Sequence, residues 1–345
     1  MRVAVCATQV PFVTGGAEAM AETLHRELLA RGFESTLVTI PFAWIPRLEI
    51  VESALAWRLL SLDGPAGEPD LVIATRFPSY LVRHPNKVIW LVHQFRQVYD
   101  LIGTGWSDFR NDPRDRRVVD LVRAMDARAF AEARALYAIS GNVAERARHH
   151  NGVEATVLYP PPRLFDRLVT GAAGDYVFTA GRLDELKRVE LLIDALALTE
   201  TPARCRIAGE GPLREALAER VRRHGLERRV ELLGRVTDDE LIALYRDCLA
   251  VYYAPYDEDY GIVPYEAFMA EKPVITTTDA GGPLDVVADR RTGLVVEPRA
   301  DAVADACTYL LGHEDEARAW GQAGRAVAER LSWRETAETL VAAGS

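Results

Sequence analysis

Short apolar segments alternate with helical stretches along the whole chain, and this alternation limits the possible folds more than any other feature of the sequence. Most segments are apolar runs without polar alternation, which is typical of strands buried on both faces of a parallel sheet. Strands that alternate with helices predict a doubly wound α/β fold. The predicted strands are residues 2–7, 37–40, 71–74, 88–92, 136–139 and 156–158, followed by 176–180, 206–208, 230–233, 249–254, 274–277 and 294–296.

A proline run divides this alternation into two halves. Pro160, Pro161 and Pro162 break any regular element, and residues 163–175, which include two glycines, have the composition of a linker. A chain of 345 residues is also long for a single hydrophobic core. We therefore predict an N-terminal domain at 1–162, a linker at 163–175, a C-terminal domain at 176–328 and a final helix at 329–345.

The composition is that of an ordinary globular protein, with 49% hydrophobic and 27% charged residues. Because the sequence shows no charged-then-apolar leader and no long apolar run, we expect neither a signal peptide nor a transmembrane helix. Cys6, Cys205, Cys248 and Cys307 are scattered without metal-ligand spacing, which favours free thiols in a reducing cytoplasm.

The net charge of −10 comes entirely from the second half of the chain. Residues 1–162 carry 18 Lys and Arg against 18 Asp and Glu, which leaves 23 against 33 for the remainder. Nucleic acid is therefore not an expected partner. An anionic ligand bound by the acidic half needs specific cationic side chains close to it. The arginine-rich stretch at 110–134 has seven arginines against five acids, too balanced to predict a membrane patch by itself.

Two glutamates eight positions apart follow the predicted strand at 249–254. Glu258 falls on the loop at the carboxyl end of the strand, and Glu266 falls one turn into a helix that Pro264 helps to start. Ligands of open α/β sheets bind at this edge. Two carboxylates beside free backbone N–H groups suit a ligand that carries both hydroxyl groups and phosphates, and a nucleotide sugar is such a ligand.

The stretch at 257–270 resembles the paired-glutamate motif of the retaining GT-B glycosyltransferases of family 4. Further motifs extend this resemblance over nearly the whole chain. It implies the GT-B fold, with two Rossmann-like doubly wound domains facing a central cleft and the last helix crossing back to the N-terminal domain. It also implies that Glu266 accepts hydrogen bonds from the ribose and Glu258 from the transferred sugar. Backbone N–H groups near the sugar and phosphates are expected from Tyr260, Gly261, Ile262 and Val263.

A glycine pair follows the first predicted strand, in the sequence Thr-Gly-Gly-Ala-Glu at 14–18. Glycines allow close backbone approach, and a helix N-terminus presents N–H groups to an anion. The third glycine of a dinucleotide fingerprint is missing, so the pattern alone fits a structural turn equally well. The resemblance implies that Gly15 and Gly16 lie beside the donor diphosphate.

Arg182 and Lys187 lie five positions apart on a predicted strand-to-helix loop. The arginine fork and the lysine point charge can reach one diphosphate from two sides. Taken alone, the segment also fits a solvated basic turn beside Asp184 and Glu185. The resemblance implies that Arg182 and Lys187 grip the donor phosphates. Arg188 occupies a position that is often glycine in the family, and no role is assigned to it.

Two further loops of the second half follow predicted strands. Gly209 lies in a Gly-Glu-Gly sequence that predicts a structural turn, whose glycines are expected to open the floor of the donor cleft. The loop containing Arg235 and Val236 resembles the one that holds the nucleobase through backbone groups, so UDP and GDP both stay open. Thr237 or Asp238 is a suitable N-cap for a helix predicted at 239–246.

The acidic sequence at 257–259 also has the Asp-x-Asp form of a metal site found in the other glycosyltransferase fold. GT-B enzymes typically work without an essential metal, and Arg182 and Lys187 would supply the neutralising charge. We therefore expect no metal and no cofactor other than the nucleotide-sugar co-substrate.

His93 follows a predicted strand in the N-terminal half. A lone histidine there is often structural, but the resemblance places it against the donor sugar in a catalytic role, with Arg182, Lys187 and Glu258. Arg76 and Ser140 end strands on the same sheet edge and fit either acceptor binding or a capping role.

The function implied by the resemblance is retaining transfer of a hexosyl group from a UDP- or GDP-linked sugar. The acceptor is a hydroxyl of a saccharide, a lipid-linked glycan or a small molecule, and polysaccharide biosynthesis is a common setting. No carboxylate is clearly assignable as a covalent nucleophile, and the resemblance implies front-side displacement. The alternatives are a nucleotide-sugar epimerase or hydrolase of the same fold and a non-enzymatic nucleotide-sugar-binding protein. A cytoplasmic location, with possible peripheral membrane contact through the N-terminal domain, is expected.

Overall fold

A computed structural model describes residues 1–12, 15–65, 67–110, 112–172, 174–199 and 202–344. Thr14 of the glycine-pair motif and Ala173 of the predicted linker lie outside these described residues. The chain divides into two compact units. The N-terminal unit comprises Met1–Arg163 with Ser332–Ser345, and the C-terminal unit comprises Leu164–Leu331.

The N-terminal unit consists of a parallel sheet and its connecting helices. Its elements in chain order are β1 (Arg2–Gln9), α1 (Gly16–Ala30), β2 (Glu34–Pro41), α2 (Leu48–Leu59), β3 (Leu71–Ala74), β4 (Lys87–Leu91), α3 (Pro113–Ala131), β5 (Ala135–Ala138), α4 (Gly141–Asn151) and β6 (Thr156–Val157). The strands are parallel and lie in the order β2-β1-β3-β4-β5-β6. The direction in which the chain adds strands therefore reverses between β1 and β3.

Local sequence accounts for where the N-terminal helices begin. The Asp112 carboxylate accepts from the N–H groups of Arg114 (2.8 Å) and Asp115 (3.0 Å), and Pro113 stands at the first position of α3. The Ser140 hydroxyl accepts from the N–H of Val143 at 3.0 Å and caps α4. Strands β3 and β4 are buried along their whole length, as expected for central strands covered on both faces.

The C-terminal unit is a second sheet of the same kind. Its elements are β7 (Tyr176–Ala180), α5 (Val189–Leu198), β8 (Arg204–Ala208), α6 (Arg214–Arg223), β9 (Val230–Gly234), α7 (Asp238–Asp247), β10 (Ala250–Tyr252), α8 (Ile262–Met269), β11 (Val274–Thr277), β12 (Gly293–Val296), α9 (Ala300–Gly312) and α10 (Glu314–Ala328). Its parallel strands lie in the order β12-β11-β10-β7-β8-β9, which is the order of the Rossmann fold. The reversal falls between β7 and β10, and the core beside it is packed with side chains from α5 and α9.

The final helix, α11 (Trp333–Ala342), is grouped with the N-terminal unit. It packs against α1, and the Trp333 ring meets the Trp90 ring edge-on with centroids 6.1 Å apart. Ser332 caps it by accepting from the N–H of Glu335 at 3.3 Å. Residues 164–172, which the sequence analysis placed in a linker, are grouped with the C-terminal unit and include a short 3₁₀ turn at Phe165–Arg167.

The predicted fold class is confirmed, since both halves are α/β with a parallel, doubly wound sheet. A strand is present at each predicted position, although β10 covers only 250–252 of the predicted 249–254. Within the described ranges, no helix combines the length and hydropathy needed to span a bilayer.

Candidate active site

The reversal of strand order in the C-terminal unit brings two loops together. One loop, residues 181–188, follows β7, and the other, residues 253–261, follows β10. Because the connections of these adjacent strands leave toward opposite faces of the sheet, their carboxyl ends form the crevice in which open α/β sheets bind ligands. The two loops carry the residues that the sequence analysis had singled out.

Lys187, Glu258 and Tyr253 form one polar cluster in this crevice. The Lys187 ammonium is ion-paired with the Glu258 carboxylate and donates to the Tyr253 hydroxyl at 3.2 Å. That hydroxyl donates to Glu258 Oε2 at 3.1 Å. The Lys187 and Glu258 side chains are 23% and 20% exposed, so the pair is reachable by a ligand but well shielded from bulk water.

The charges of this cluster follow from its surroundings. Burial lowers the pKa of the Lys187 ammonium, but the charge interactions and hydrogen bonds with Glu258 and Tyr253 together outweigh burial and leave the pKa above its usual value. Burial raises the pKa of Tyr253, and the Glu258 charge raises it further. At neutral pH the cluster therefore holds a charged lysine and a protonated tyrosine that can donate.

Arg182 lies on the same loop but is placed differently. Its side chain is largely exposed, and its Nε is 3.6 Å from the Asp184 carboxylate. Asp184 also accepts from the backbone N–H of Lys187 at 3.2 Å, which fixes the short 3₁₀ turn that carries the lysine. The structure thus brings Lys187 and Glu258 into contact and leaves Arg182 at the surface of the same loop.

Glu266 lies in the fifth position of α8 and is buried, with 9% of its surface exposed. It accepts from the Tyr245 hydroxyl at 2.7 Å. Burial raises the pKa of Tyr245 and the charge of Glu266 adds to the effect, so this tyrosine stays a donor. The carboxylate is therefore held in one orientation by a neighbouring helix.

Helix α8 begins directly after Gly261, which has φ +76°. A Cβ there would lie 2.9 Å from Pro283 Cγ and 3.0 Å from Tyr253 Cε1, so both backbone conformation and space call for glycine. The N–H groups of Ile262 and Val263 lie in the first turn, where helices have no internal partners. Tyr260, just before the helix, is buried and stacks on Tyr265 at 4.8 Å.

A glycine with positive φ directly follows β7 (Gly181) and β8 (Gly209), and another ends β9 (Gly234). A Cβ at Gly209 would lie 1.8 Å from the Gly181 carbonyl oxygen, and the Gly209 N–H donates to the Gly234 carbonyl at 2.8 Å. These glycines therefore let three strand ends approach closely. Arg235 and Val236 follow on an exposed loop, and the predicted N-cap of the next helix is Thr237, in a capping box with Glu240.

In the N-terminal unit, the glycine pair lies at the equivalent reversal between β1 and β3. Gly15 precedes α1, and its N–H donates to the Glu18 carboxylate at 3.0 Å, while Gly16 begins the helix. Glu18 is ion-paired with Arg76, whose Nη2 also donates to the Thr8 carbonyl at 2.7 Å. Arg76 thus ties the ends of β1 and β3 together.

Two other residues of this unit have local partners. His93 Nδ1 lies 2.7 Å from the Gln94 carbonyl oxygen, which indicates a protonated Nδ1. Ser140 is the cap of α4, so one of the two roles that the sequence left open is observed.

A protein-family comparison matches residues 165–327 to the model described as glycosyl transferases group 1. The C-terminal unit is a glycosyl transferases group 1 domain. The match covers both loops of the crevice, the glycine turns and α8.

Two curated relatives are similar to parts of this chain. The chain is 31% identical over 244 residues to a D-inositol 3-phosphate glycosyltransferase of Mycolicibacterium smegmatis, covering 67% of this chain and 54% of that protein. It is 35% identical over 125 residues to the alpha-1,3/1,6-mannosyltransferase ALG2 of Mus musculus, covering 36% of this chain and 30% of that protein. The matches therefore span about half of these relatives or less.

A solved structure shows the same fold over the full length of the chain. HepE of Anabaena, in complex with UDP and glucose, superposes with a TM-score of 0.73 at 18% identity, covering 99% of this chain and 98% of that one. At this identity the likeness is one of fold. Together with the two Rossmann-like sheets, it identifies the architecture as GT-B.

Sequence reasoning missed two residues of the group 1 domain that contact the predicted ones. The sequence places Tyr253 in a predicted buried strand, yet its hydroxyl contacts both Lys187 and Glu258. Arg188 was given no role, although its guanidinium binds the loop that carries Glu258. Their positions in the sequence could have revealed them. Tyr253 directly follows β10, and Arg188 ends the loop after β7, and these two strands meet at the reversal of the sheet.

Proposed function

We propose that this protein is a retaining glycosyltransferase of family 4. It transfers a hexosyl group from a UDP- or GDP-linked sugar to a hydroxyl of a saccharide, a lipid-linked glycan or a small molecule. The observation that carries the proposal is the cluster of Lys187, Glu258 and Tyr253 at the reversal of the C-terminal sheet. The group 1 match over residues 165–327 supports the reaction class.

The cluster suits a donor because its two charges can exchange partners. In the structure, the Lys187 ammonium neutralises Glu258. A donor phosphate entering the crevice offers Lys187 a stronger anionic partner, and Glu258 is released to accept from hydroxyl groups of the sugar. The acidic excess of the C-terminal half thus becomes useful, because carboxylates bind the neutral hydroxylated part while one lysine binds the charged part.

The remaining donor contacts are proposed from position and from the family resemblance. Glu266 accepts from the ribose hydroxyls, and the N–H groups at the start of α8 face the phosphates. Arg182, exposed on its loop, adds a second cation to the diphosphate. The loop at 235–236 contacts the nucleobase, and Gly209 forms part of the pocket floor. The same resemblance assigns donor contacts to three residues of the N-terminal unit: Gly15, Gly16 and His93.

The proposed chemistry is front-side displacement. The bond between the anomeric carbon and the diphosphate oxygen breaks, a new bond forms to the acceptor oxygen on the same face, and the acceptor proton passes to the departing diphosphate. Because charge builds up on that diphosphate, Lys187 stabilises the transition state more than the ground state. We propose no metal in this step, because the ammonium beside Glu258 opposes binding of a divalent cation there.

The test is a donor panel of UDP-glucose, UDP-galactose, UDP-N-acetylglucosamine and GDP-mannose. We expect one donor to raise the melting temperature and to release nucleoside diphosphate slowly without an acceptor. With saccharide or lipid-linked acceptors, NMR of the product is expected to show the anomeric configuration of the donor. Conversion to an isomeric sugar nucleotide would indicate an epimerase, and binding without any release would indicate a sensor. Either result would remove the proposal.

A further inference from the structure

The geometry points to Arg188 as a positioning residue that holds the Glu258 loop in its working conformation. This inference rests on the proposed function, in which Glu258 contacts the transferred sugar. Arg188 directly follows Lys187 and precedes α5. Its guanidinium lies among the segments that follow β7, β10 and β11.

Through five hydrogen bonds, the Arg188 guanidinium joins its own loop to two other segments, the loop after β10 and the end of β11. From the β10 loop it binds two carbonyls, those of Ala254 at 2.9 Å and Pro255 at 2.6 Å. From the end of β11 it binds both carboxylate oxygens of Asp279, at 2.9 and 2.8 Å, and the Thr277 hydroxyl at 2.9 Å. Only a planar fork of several donors can reach these acceptors together.

The backbone of Arg188 adds a second observation. It has φ +49° and ψ +42°, the left-handed conformation that favours glycine. Its carbonyl accepts from the Tyr252 hydroxyl at 3.1 Å. An arginine kept in a conformation that suits glycine, with its guanidinium bonded to two neighbouring segments, indicates that its side chain serves the surrounding loops.

The result is a two-point grip on the segment 254–258. Arg188 holds the start of the segment through the carbonyls of Ala254 and Pro255, and Lys187 holds its end through Glu258. Lys187 must change partners when phosphate binds, whereas Arg188 contacts no proposed ligand group. Arg188 therefore keeps the segment in place at the moment when Glu258 loses its ion pair.

Other bonds ensure that the segment survives without Arg188. The N–H groups of Asp257 and Glu258 donate to the carbonyls of Asp279 (2.9 Å) and Ala280 (2.8 Å). We therefore expect the Arg188→Gly variant to fold with a looser loop. Arg290→Gly is the matched control, since Arg290 also has a positive φ of 52° and lies on a loop outside the cluster.

The experiment combines hydrogen exchange of amides 256–258 with turnover of the donor that the panel identifies. In Arg188→Gly we expect exchange at least about tenfold faster in this segment. We also expect kcat to fall by roughly 10- to 100-fold, because misplacement by about 1 Å has effects of that size. Arg188→Lys should restore part of the protection from exchange and part of kcat. Arg290→Gly should change neither the exchange rate at 256–258 nor kcat. If Arg188→Gly does not fold, Asp279→Asn serves for the same measurements.

The outcomes separate this inference from the proposed function. Wild-type exchange at 256–258 in the folded variant overturns it, and so does fast exchange with unchanged kcat. Full recovery by Arg188→Lys of both quantities would also contradict the need for a fork. If no donor is turned over by the wild type, the proposed function fails, and the exchange data still decide whether Arg188 holds the loop.

Discussion

Replacing Lys187 and Glu258 of the ion pair, singly and together, separates the role of each charge in folding from its role in catalysis. Lys187→Met leaves Glu258 without its cation in a site where only a fifth of its side chain is exposed. Exposed pairs contribute up to about 1 kcal/mol, and breaking a fully buried pair costs about 3–5 kcal/mol. For this partly buried pair we expect the free energy of unfolding to fall by about 1–3 kcal/mol.

The double variant, Lys187→Met with Glu258→Gln, has no unpaired charge. Its free energy of unfolding should therefore exceed the value expected from adding the two single losses, by about 1–2 kcal/mol. Turnover is expected to behave differently, because the proposed role of Lys187 is to stabilise the departing diphosphate. By analogy with loss of an oxyanion donor, Lys187→Met should lower kcat by on the order of 10²–10³, and the double variant should recover none of it.

The assay is denaturant unfolding at pH 7, paired with release of nucleoside diphosphate from the donor. Lys272→Met is the matched control, since Lys272 is a buried lysine of the same unit whose ammonium donates to the carbonyls of Gly171 (3.1 Å) and Ala172 (3.3 Å). It should lower stability while leaving turnover unchanged. Wild-type turnover in Lys187→Met, or recovered turnover in the double variant, would refute the reasoning.

Three further predictions concern a buried aspartate, a glycine turn and the metal-free step. Burial raises the pKa of Asp126 to about 7, above its unfolded value, so its contribution to stability is present near pH 4 and is lost as the pH rises to 7. The free energy of unfolding of the wild type should therefore fall by up to about 1.4 kcal/mol per pH unit across that range, and this fall should be absent from denaturant titrations of Asp126→Asn. Gly209→Ala should destabilise by roughly 2–4 kcal/mol, because its Cβ meets the Gly181 carbonyl, whereas Gly225→Ala, with open space around it, should cost only about 1–2 kcal/mol in thermal unfolding. Nucleoside diphosphate release should be unchanged by EDTA, and loss of activity that added Mg²⁺ restores would contradict the metal-free step.

The sequence predicted the fold well because the strands of a parallel sheet carry a strong and local signal. Residues 71–74, 176–180 and 274–277 were predicted with the observed bounds, since each is an apolar run ended by a turn residue or a polar loop. The position of Glu258 on the loop after β10 follows from the same pattern. Strand order does not, because it depends on which strands pair, and no local pattern records that.

The partners of the site residues were beyond sequence reasoning. The contacts of Glu258 with Lys187, 71 positions earlier, and of Glu266 with Tyr245, 21 positions earlier, depend on how two connections fold over one sheet edge. The loop sequence predicts a Lys187 that is available for phosphate, whereas in the structure Glu258 already neutralises it. Arg188 was also missed, since an arginine among charged neighbours has the pattern of a solvated turn.

The small number of lysines in the sequence is informative once their positions in the structure are known. Among 41 Lys and Arg residues the chain has three lysines: Lys87, Lys187 and Lys272. Lys87 and Lys272 are buried and donate to backbone carbonyls, and Lys187 is partly buried against Glu258. A compact ammonium fits an enclosed ring of acceptors better than a planar guanidinium does. In this chain, lysine therefore marks enclosed sites.

A crystal structure of the protein with bound UDP, or with GDP if the panel selects it, tests the central claim most directly. The account predicts a terminal phosphate oxygen within hydrogen-bond distance of Lys187 Nζ, the ribose on Glu266, and Glu258 parted from Lys187. A nucleotide bound away from the loops after β7 and β10, with Lys187 still paired to Glu258 alone, would contradict it.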